Sequence, residues 1–322
     1  MNQALLLVNF GGPRTLNEVE PFLCELLTDC DLIRPKLPLF FHNLLFRRIA
    51  KKRAVKVRPD YEQLGGGSPI YETTETLANL LRERTGRTVI TFHRYLPSTH
   101  KESLQKIEEA GELIVFPLFP QFSYTTTGSI ARVFSKRLSQ KALTSLRWIK
   151  SYPAHDAYIN AQEKIIRGFL EKNHLLEKEC LFLLSAHGIP LSYCREGDPY
   201  EFECRQSAQA LLARFPEAAS KISFQSQFGP EEWLRPYTKD LCENVSEWLG
   251  GKKNVIFIPL SFTSDHLETL FEIEELYLPV IKAQGIAAFR CPALNLDPAW
   301  IDALPALLDE KNFSTNSMLI RQ

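Results

Sequence analysis

The chain has 322 residues, 44% of them hydrophobic and 24% charged, which excludes a disordered protein and leaves room for two domains of ordinary size. Thirty-eight basic residues balance thirty-eight acidic ones, so no net field recruits nucleic acid, and an anionic partner has to be met locally. Seven cysteines without a CxxC pair fit a reducing compartment, and the absence of a signal-like N-terminus and of any apolar run near ~18 residues points to a cytoplasmic, non-spanning protein.

Residues 4–10 (ALLLVNF) are an apolar run closed by Gly11-Gly12-Pro13, the pattern of a strand buried on both faces. Residues 37–58 break the rhythm. Their first half is apolar and aromatic, and their second half carries Arg47, Arg48, Lys51, Lys52, Arg53, Lys56 and Arg58. Two readings stay open: a surface helix with a solvated basic face, or an amphipathic lip that touches a membrane surface or guides an anionic, apolar ligand. Gly65-Gly66-Gly67-Ser68-Pro69 follows no evident strand and lacks the spacing of a P-loop or dinucleotide site. It reads as a turn that lets the backbone approach closely. Strand candidates at 89–92, 112–119 and 146–150 alternate with helical patterns at 74–84 and 101–110, which predicts a parallel sheet. Residues 125–129 (TTTGS) stand between strand and helix, where they cap the helix or present amides to a carboxylate.

The second half repeats the alternation, with strands at 181–185, 222–225, 255–260 and 287–291 and helices around 207–215, 236–249 and 267–283. Residues 181–190 (LFLLSAHGIP) are its focus. An apolar run stops abruptly there and sets His187 just past a strand's carboxyl end, where open α/β sheets place ligands. The alternative is a loop histidine bonded only to its neighbours. Residues 113–123 (LIVFPLFPQFS) and 255–265 (VIFIPLSFTSD) share a strand-Pro-Leu-Phe-hydroxyl pattern. Either two buried strands resemble one another by chance, or the chain is two related α/β units facing across a ligand cleft.

Residues 261–275 (SFTSDHLETLFEIEE) hold the other candidate groups. Asp265 and Glu268 have capping-box spacing, which accounts neither for His266 nor for the further acids. Glu268, Glu272 and Glu275 at i, i+4 and i+7 form one row of carboxylates on an α-helix. Such a row repels itself unless protons or a cation pass along it. The nearby histidine does not make a zinc deaminase, because the PCxxC partner is missing.

These motifs together resemble the ferrochelatases, which insert ferrous iron into a porphyrin. The resemblance runs nearly end to end through NFGGP (9–13), LGGGSPI (64–70), FHRY (92–95), PLFPQFSYTTTGS (117–129), SAHGIP (185–190), FGPEEWLRPYT (228–238) and FTSDHLETLFEIEELY (262–277). It implies two Rossmann-like α/β domains, 1–150 and 151–296, around a porphyrin cleft, with a C-terminal helix at 297–322 packing back on the first. His187 and Glu268 are then the inner pair, facing the macrocycle from opposite sides, and both are candidate metal ligands. Glu272, Glu275, Asp265 and His266 form the proton or metal relay. Phe10, Ser68, Arg94, Tyr95, Tyr124, Trp233 and Phe262 line the porphyrin site, with Arg94 pairing a propionate.

The implied chemistry suits these groups. A neutral imidazole accepts a pyrrole proton, and aromatic walls grip and bend the ring so that its nitrogen lone pairs meet the metal. Which of His187 and Glu268 delivers metal stays open. Tyr124 occupies the place of an iron–sulfur cysteine of animal members, and no cysteine follows Cys291, so no cluster is expected. Phe10 replaces the tyrosine of coproporphyrin-using relatives, which favours protoporphyrin IX over coproporphyrin III. A non-catalytic tetrapyrrole binder is the alternative of another class, a monomer is favoured, and residues 37–58 are the expected peripheral membrane contact.

Overall fold

The computed structural model describes residues 3–309 and 312–321. They form two compact units, Met1–Ser151 with Leu308–Gln322, and Tyr152–Leu307. Each unit is built on a four-stranded parallel sheet. The first contains β1 (Ala4–Asn9), β2 (Val89–His93), β3 (Leu113–Pro117) and β4 (Leu146–Trp148) in the order β2-β1-β3-β4. The second contains β5 (Cys180–His187), β6 (Ala219–Gln225), β7 (Asn254–Pro259) and β8 (Ala287–Arg290) in the order β6-β5-β7-β8. The two orders are the same winding twice, so the strand-Pro-Leu-Phe repeat marks β3 and β7, topological equivalents.

Burial explains why these runs are strands. Leu5 to Val8, Leu113 to Phe116, Leu181 to Leu184 and Val255 to Ile258 are almost wholly enclosed, as central strands covered on both faces must be. Alternate residues sort to one face. Leu6, Val8, Ile90, Phe92, Leu113 and Val115 pack with Phe134 and Trp148 in the first unit. In the second, Leu181, Leu183, Val255 and Phe257 pack with Ile273, Leu278 and Ile281.

In the first unit, α3 (Ile70–Thr85) and α4 (Pro97–Glu109) cover the helical patterns expected at 74–84 and 101–110, and α1 (Val19–Leu27) and α2 (Leu39–Gln63) lie between β1 and α3. The glycine-rich turn is structural. Ser68 N–H donates to Pro13 O (2.7 Å), and a Cβ on Gly67 would clash with Arg14 O, so the turn presses against the NFGGP loop as only glycine can. At the chain's end, the helix Pro298–Leu308 was expected with the first domain. It belongs almost wholly to the second, because Trp300 stacks on Tyr152 at 6.3 Å and meets Tyr158 edge-on at 6.3 Å. The final residues, in contrast, join the first unit through Ser314, whose N–H and O pair with Trp148.

The larger correction concerns residues 267–283, predicted as one α-helix. Glu268–Tyr277 is wound as a π-helix, and only Leu278–Lys282 is α-helical. The buried positions Thr269, Ile273 and Leu278 recur at intervals of four and five residues. That spacing suits the wider turn of i→i+5 bonding.

Candidate active site

Strand order reverses between β5 and its two neighbours, so the carboxyl ends of β5 and β7 flank the topological switch point of the second unit. His187 is the last residue of β5. Its backbone is held from both sides: His187 N–H donates to Ser261 Oγ (3.1 Å), and Tyr200 O–H donates to His187 O (2.9 Å). Gly188 follows, with its N–H on Gln225 O (2.9 Å). A Cβ at Gly188 would lie 3.1 Å from the Trp233 indole, so the glycine lets Trp233 seat beside the histidine. Trp233 and Phe262 each meet the His187 ring edge-on at 6.4 Å.

Glu268 opens the π-wound segment after β7. Because β5 and β7 are paired neighbours, the residues beyond their ends are brought together, and His187 Nδ1 lies 2.9 Å from Glu268 Oε2. This corrects the expectation that the two groups confront each other across a macrocycle. They are hydrogen-bonded partners of one unit, their side chains 30% and 25% exposed. The capping-box reading is also displaced, since the Glu268 carboxylate goes to the two imidazoles, with His266 Nε2 at 3.4 Å from the same oxygen.

The electrostatics follow from this pairing. Burial would lower the His187 pKa, but the charge and hydrogen bond of Glu268 outweigh it and raise it above the usual histidine value. Burial would raise Glu268, yet His187 and then His266 hold it well below the usual carboxylate range. Glu272 receives no such partner. Burial and the neighbouring Glu268 charge push it up to about 7, although Ser226 and Gln225 hydrogen bonds oppose the rise. The site thus joins an ionised carboxylate to an acid that titrates near neutrality.

The remaining relay candidates divide. Asp265 is a latch: it accepts from Asn295 Nδ2 (2.7 Å), Thr269 Oγ1 (2.8 Å) and Arg290 Nη1 (3.0 Å), fixing the loop that carries Phe262 and His266. Glu275 is exposed. In a π-winding each residue advances by less than the roughly 100° of an α-helix, so the single row of carboxylates is not formed and Glu275 falls out of it.

In the first unit, Phe10 stands just past β1, the equivalent of His187's position. It packs edge-on against Tyr95 (4.5 Å) and Phe22 (6.2 Å). Arg94 and Tyr95 are closed inside that unit. Arg94 donates to Glu25 (2.9 Å), Asp29 (3.0 Å) and Ser129 (2.7 Å), and the fully buried Tyr95 donates to Asp29 (2.7 Å). With its guanidinium so engaged, Arg94 is corrected from propionate partner to structural ion pair. Ser68 is buried against the NFGGP loop, and Tyr124 opens the π-turn Tyr124–Gly128 with its ring edge-on to Phe122 (5.2 Å). Sequence reasoning missed Tyr200, Gln225, Ser226 and Ser261. Their one signal was position: Gln225 and Ser261 lie at or just beyond the ends of strands adjacent to β5.

Of the predicted site residues, His187 and Glu268 bring an imidazole and a carboxylate, donor types that suit a metal, within 2.9 Å of each other. Among the described residues no group of three or more histidine, cysteine or acidic side chains is arranged to hold one.

Twin parallel α/β units with a histidine–carboxylate pair at one switch point define a chelatase-type fold. The solved structure of CbiX, described as the terminal enzyme for biosynthesis of sirohaem in denitrifying bacteria, shares that fold at a TM-score of 0.52 and 15% identity, over 96% of this chain and 100% of that one. The ferrochelatase family model matches residues 2–312. Proteins named ferrochelatase from Chlamydia caviae and Chlamydia pneumoniae are 41% and 43% identical, covering 100% and 99% of this chain and 100% and 96% of their own. The chain belongs to the ferrochelatase family, and its activity is metal insertion into a porphyrin.

Proposed function

We propose that the protein inserts ferrous iron into protoporphyrin IX, releasing two protons and giving protohaem, the last step of haem formation. The observation that carries this reading is the 2.9 Å bond between His187 Nδ1 and Glu268 Oε2. In the neutral imidazole, a proton on Nδ1 directed at the carboxylate leaves the Nε2 lone pair as the base. Nε2 takes a pyrrole proton, and Glu268 stabilises the imidazolium without moving. The proton then leaves by way of Glu272, whose pKa near 7 lets it both accept and release. Iron meets His187 and Glu268 transiently, as imidazole and carboxylate ligands suit ferrous ion. Trp233 and Phe262, which flank His187, grip the ring edge.

Phe10 supports protoporphyrin as the substrate, because an apolar ring in place of a phenol offers nothing to an added propionate. Anaerobic absorbance assays with protoporphyrin IX and coproporphyrin III test this: faster insertion into coproporphyrin would overturn it. Tyr124 supports an enzyme without an iron–sulfur cluster, tested by iron and sulfide analysis of the purified protein. We further place the protein at the cytoplasmic membrane face through α2, where Leu39, Phe40, Phe41, Leu44 and Leu45 are exposed ahead of a run of exposed arginine and lysine. Among the described residues no helix is long and apolar enough to cross a membrane. Flotation with anionic but not neutral vesicles is the expected result, and binding to neither would remove the contact.

A further inference from the structure

Gln225, the last residue of β6, is registered opposite His187 on β5 and is 2% exposed. Its side-chain oxygen accepts from Ser185 Oγ (2.7 Å). Its Nε2 donates to the Glu268 carbonyl (2.9 Å) and to Glu272 Oε2 (3.2 Å). Ser226, at φ +66, donates to the same Oε2 at 2.6 Å.

The direction of these bonds is set two residues before the catalytic histidine. Ser185 is fully buried and has one proton to give. Its neighbour Thr238 directs its own proton to Ser223 (2.9 Å) and lies 3.4 Å from Ser185. The Ser185 proton goes to Gln225, the nearer acceptor at 2.7 Å against 3.4 Å for Thr238, and an amide whose oxygen is taken by a donor must turn its NH2 the other way. That way lie Glu268 and Glu272.

We propose that Ser185, acting through Gln225 and together with Ser226, is a positioning residue for metal insertion: the three side chains clamp the π-wound segment so that Glu272 stays beside the His187–Glu268 pair. The inference deepens the relay role given above to Glu272 and rests on it. Both donors fall on one oxygen of Glu272, which fixes the carboxyl plane and leaves the other oxygen for the proton. β5 thus presents the base, and the adjacent β6 presents the clamp that aims its relay.

The test compares Ser185→Ala, Ser185→Thr and Ser226→Gly. Glycine takes a positive φ without strain, so the last variant removes the hydroxyl and keeps the turn. Ser185→Ala and Ser226→Gly are expected to lower kcat for iron insertion about ten-fold with the porphyrin KM unchanged, while Ser185→Thr, which retains the hydroxyl, stays near wild type. In protein free of metal and porphyrin, the infrared carboxyl band identified by its loss in Glu272→Gln should move to higher wavenumber in both donor-deleted variants. An unchanged kcat in Ser185→Ala, an equal loss in Ser185→Thr, or an unmoved band would overturn the clamp. A wild type that inserts no iron while the band still moves would instead refute the functional reading and support the clamp.

Discussion

Replacing Glu268 by glutamine removes one charge and keeps the shape, which isolates what the carboxylate does. The wild-type Oε2 faces His187 Nδ1 at 2.9 Å and His266 Nε2 at 3.4 Å. A hydrogen bond to a charged group is worth about 1.5–3 kcal/mol, so if that difference is realised as the imidazolium forms, the rate falls by about 10- to 150-fold. The tautomer adds to the loss. A glutamine NH2 turned to Nδ1 makes that nitrogen the acceptor, places the neutral ring's proton on Nε2 and removes the base.

The pH profile supplies the second signature. Glu268 is what raises His187; without it burial dominates and the imidazole pKa falls. The active form is the deprotonated ring, so the acid limb should move to lower pH while the plateau drops. Anaerobic iron insertion followed by absorbance across pH measures both. A variant within three-fold of wild type with an unmoved acid limb would refute the reasoning.

His187→Ala should bind porphyrin, as read by fluorescence quenching, and insert almost no iron; undiminished turnover would dismiss His187 as the base. Glu272→Gln should stabilise the protein in alkaline buffer. The folded pKa of Glu272 stands near 7 against a usual 4.5, so its ionisation is a burden that is absent below the lower value and complete above the higher one. It amounts to at most about 3 kcal/mol. The variant's Tm advantage should be seen at pH 8 and vanish near pH 5. Gly188→Ala brings a methyl to 3.0 Å from Gln225 O and 3.1 Å from the Trp233 ring; such overpacking costs about 1–3 kcal/mol, seen as a lower Tm together with reduced porphyrin affinity. Asp265→Ala takes one acceptor from the half-buried Arg290 and Asn295, which keep Glu274 and Ala293 O, and denaturant unfolding should show a loss of about 1.5–3 kcal/mol.

Much of the scaffold was legible because burial on two faces writes itself as continuous apolar runs. All eight strands lie within a few residues of their expected places, and the repeated Pro-Leu-Phe signature marks equivalent strands of two like-wound sheets. His187 was legible for the same reason, since a strand that ends in Gly-Ile-Pro announces where its last side chain stands. Spacing alone also named Glu268 and Glu272, but it placed them on a helix of the wrong winding and added Glu275, which the wider turn carries into solvent.

What tertiary structure decided was pairing. Nothing in the local pattern says that Glu268 meets His187 directly, because their contact depends on β5 and β7 lying side by side. Nor does it say that Arg94, expected to pair a propionate, closes on Asp29 and Glu25 sixty-odd residues earlier, or that Gln225 and Ser226 reach Glu272. Local sequence sets which segments bury and where they stop, because those are properties of a few consecutive side chains. The partners of a charge are set by which strand ends the sheet makes neighbours, and that is known only once the whole chain has folded.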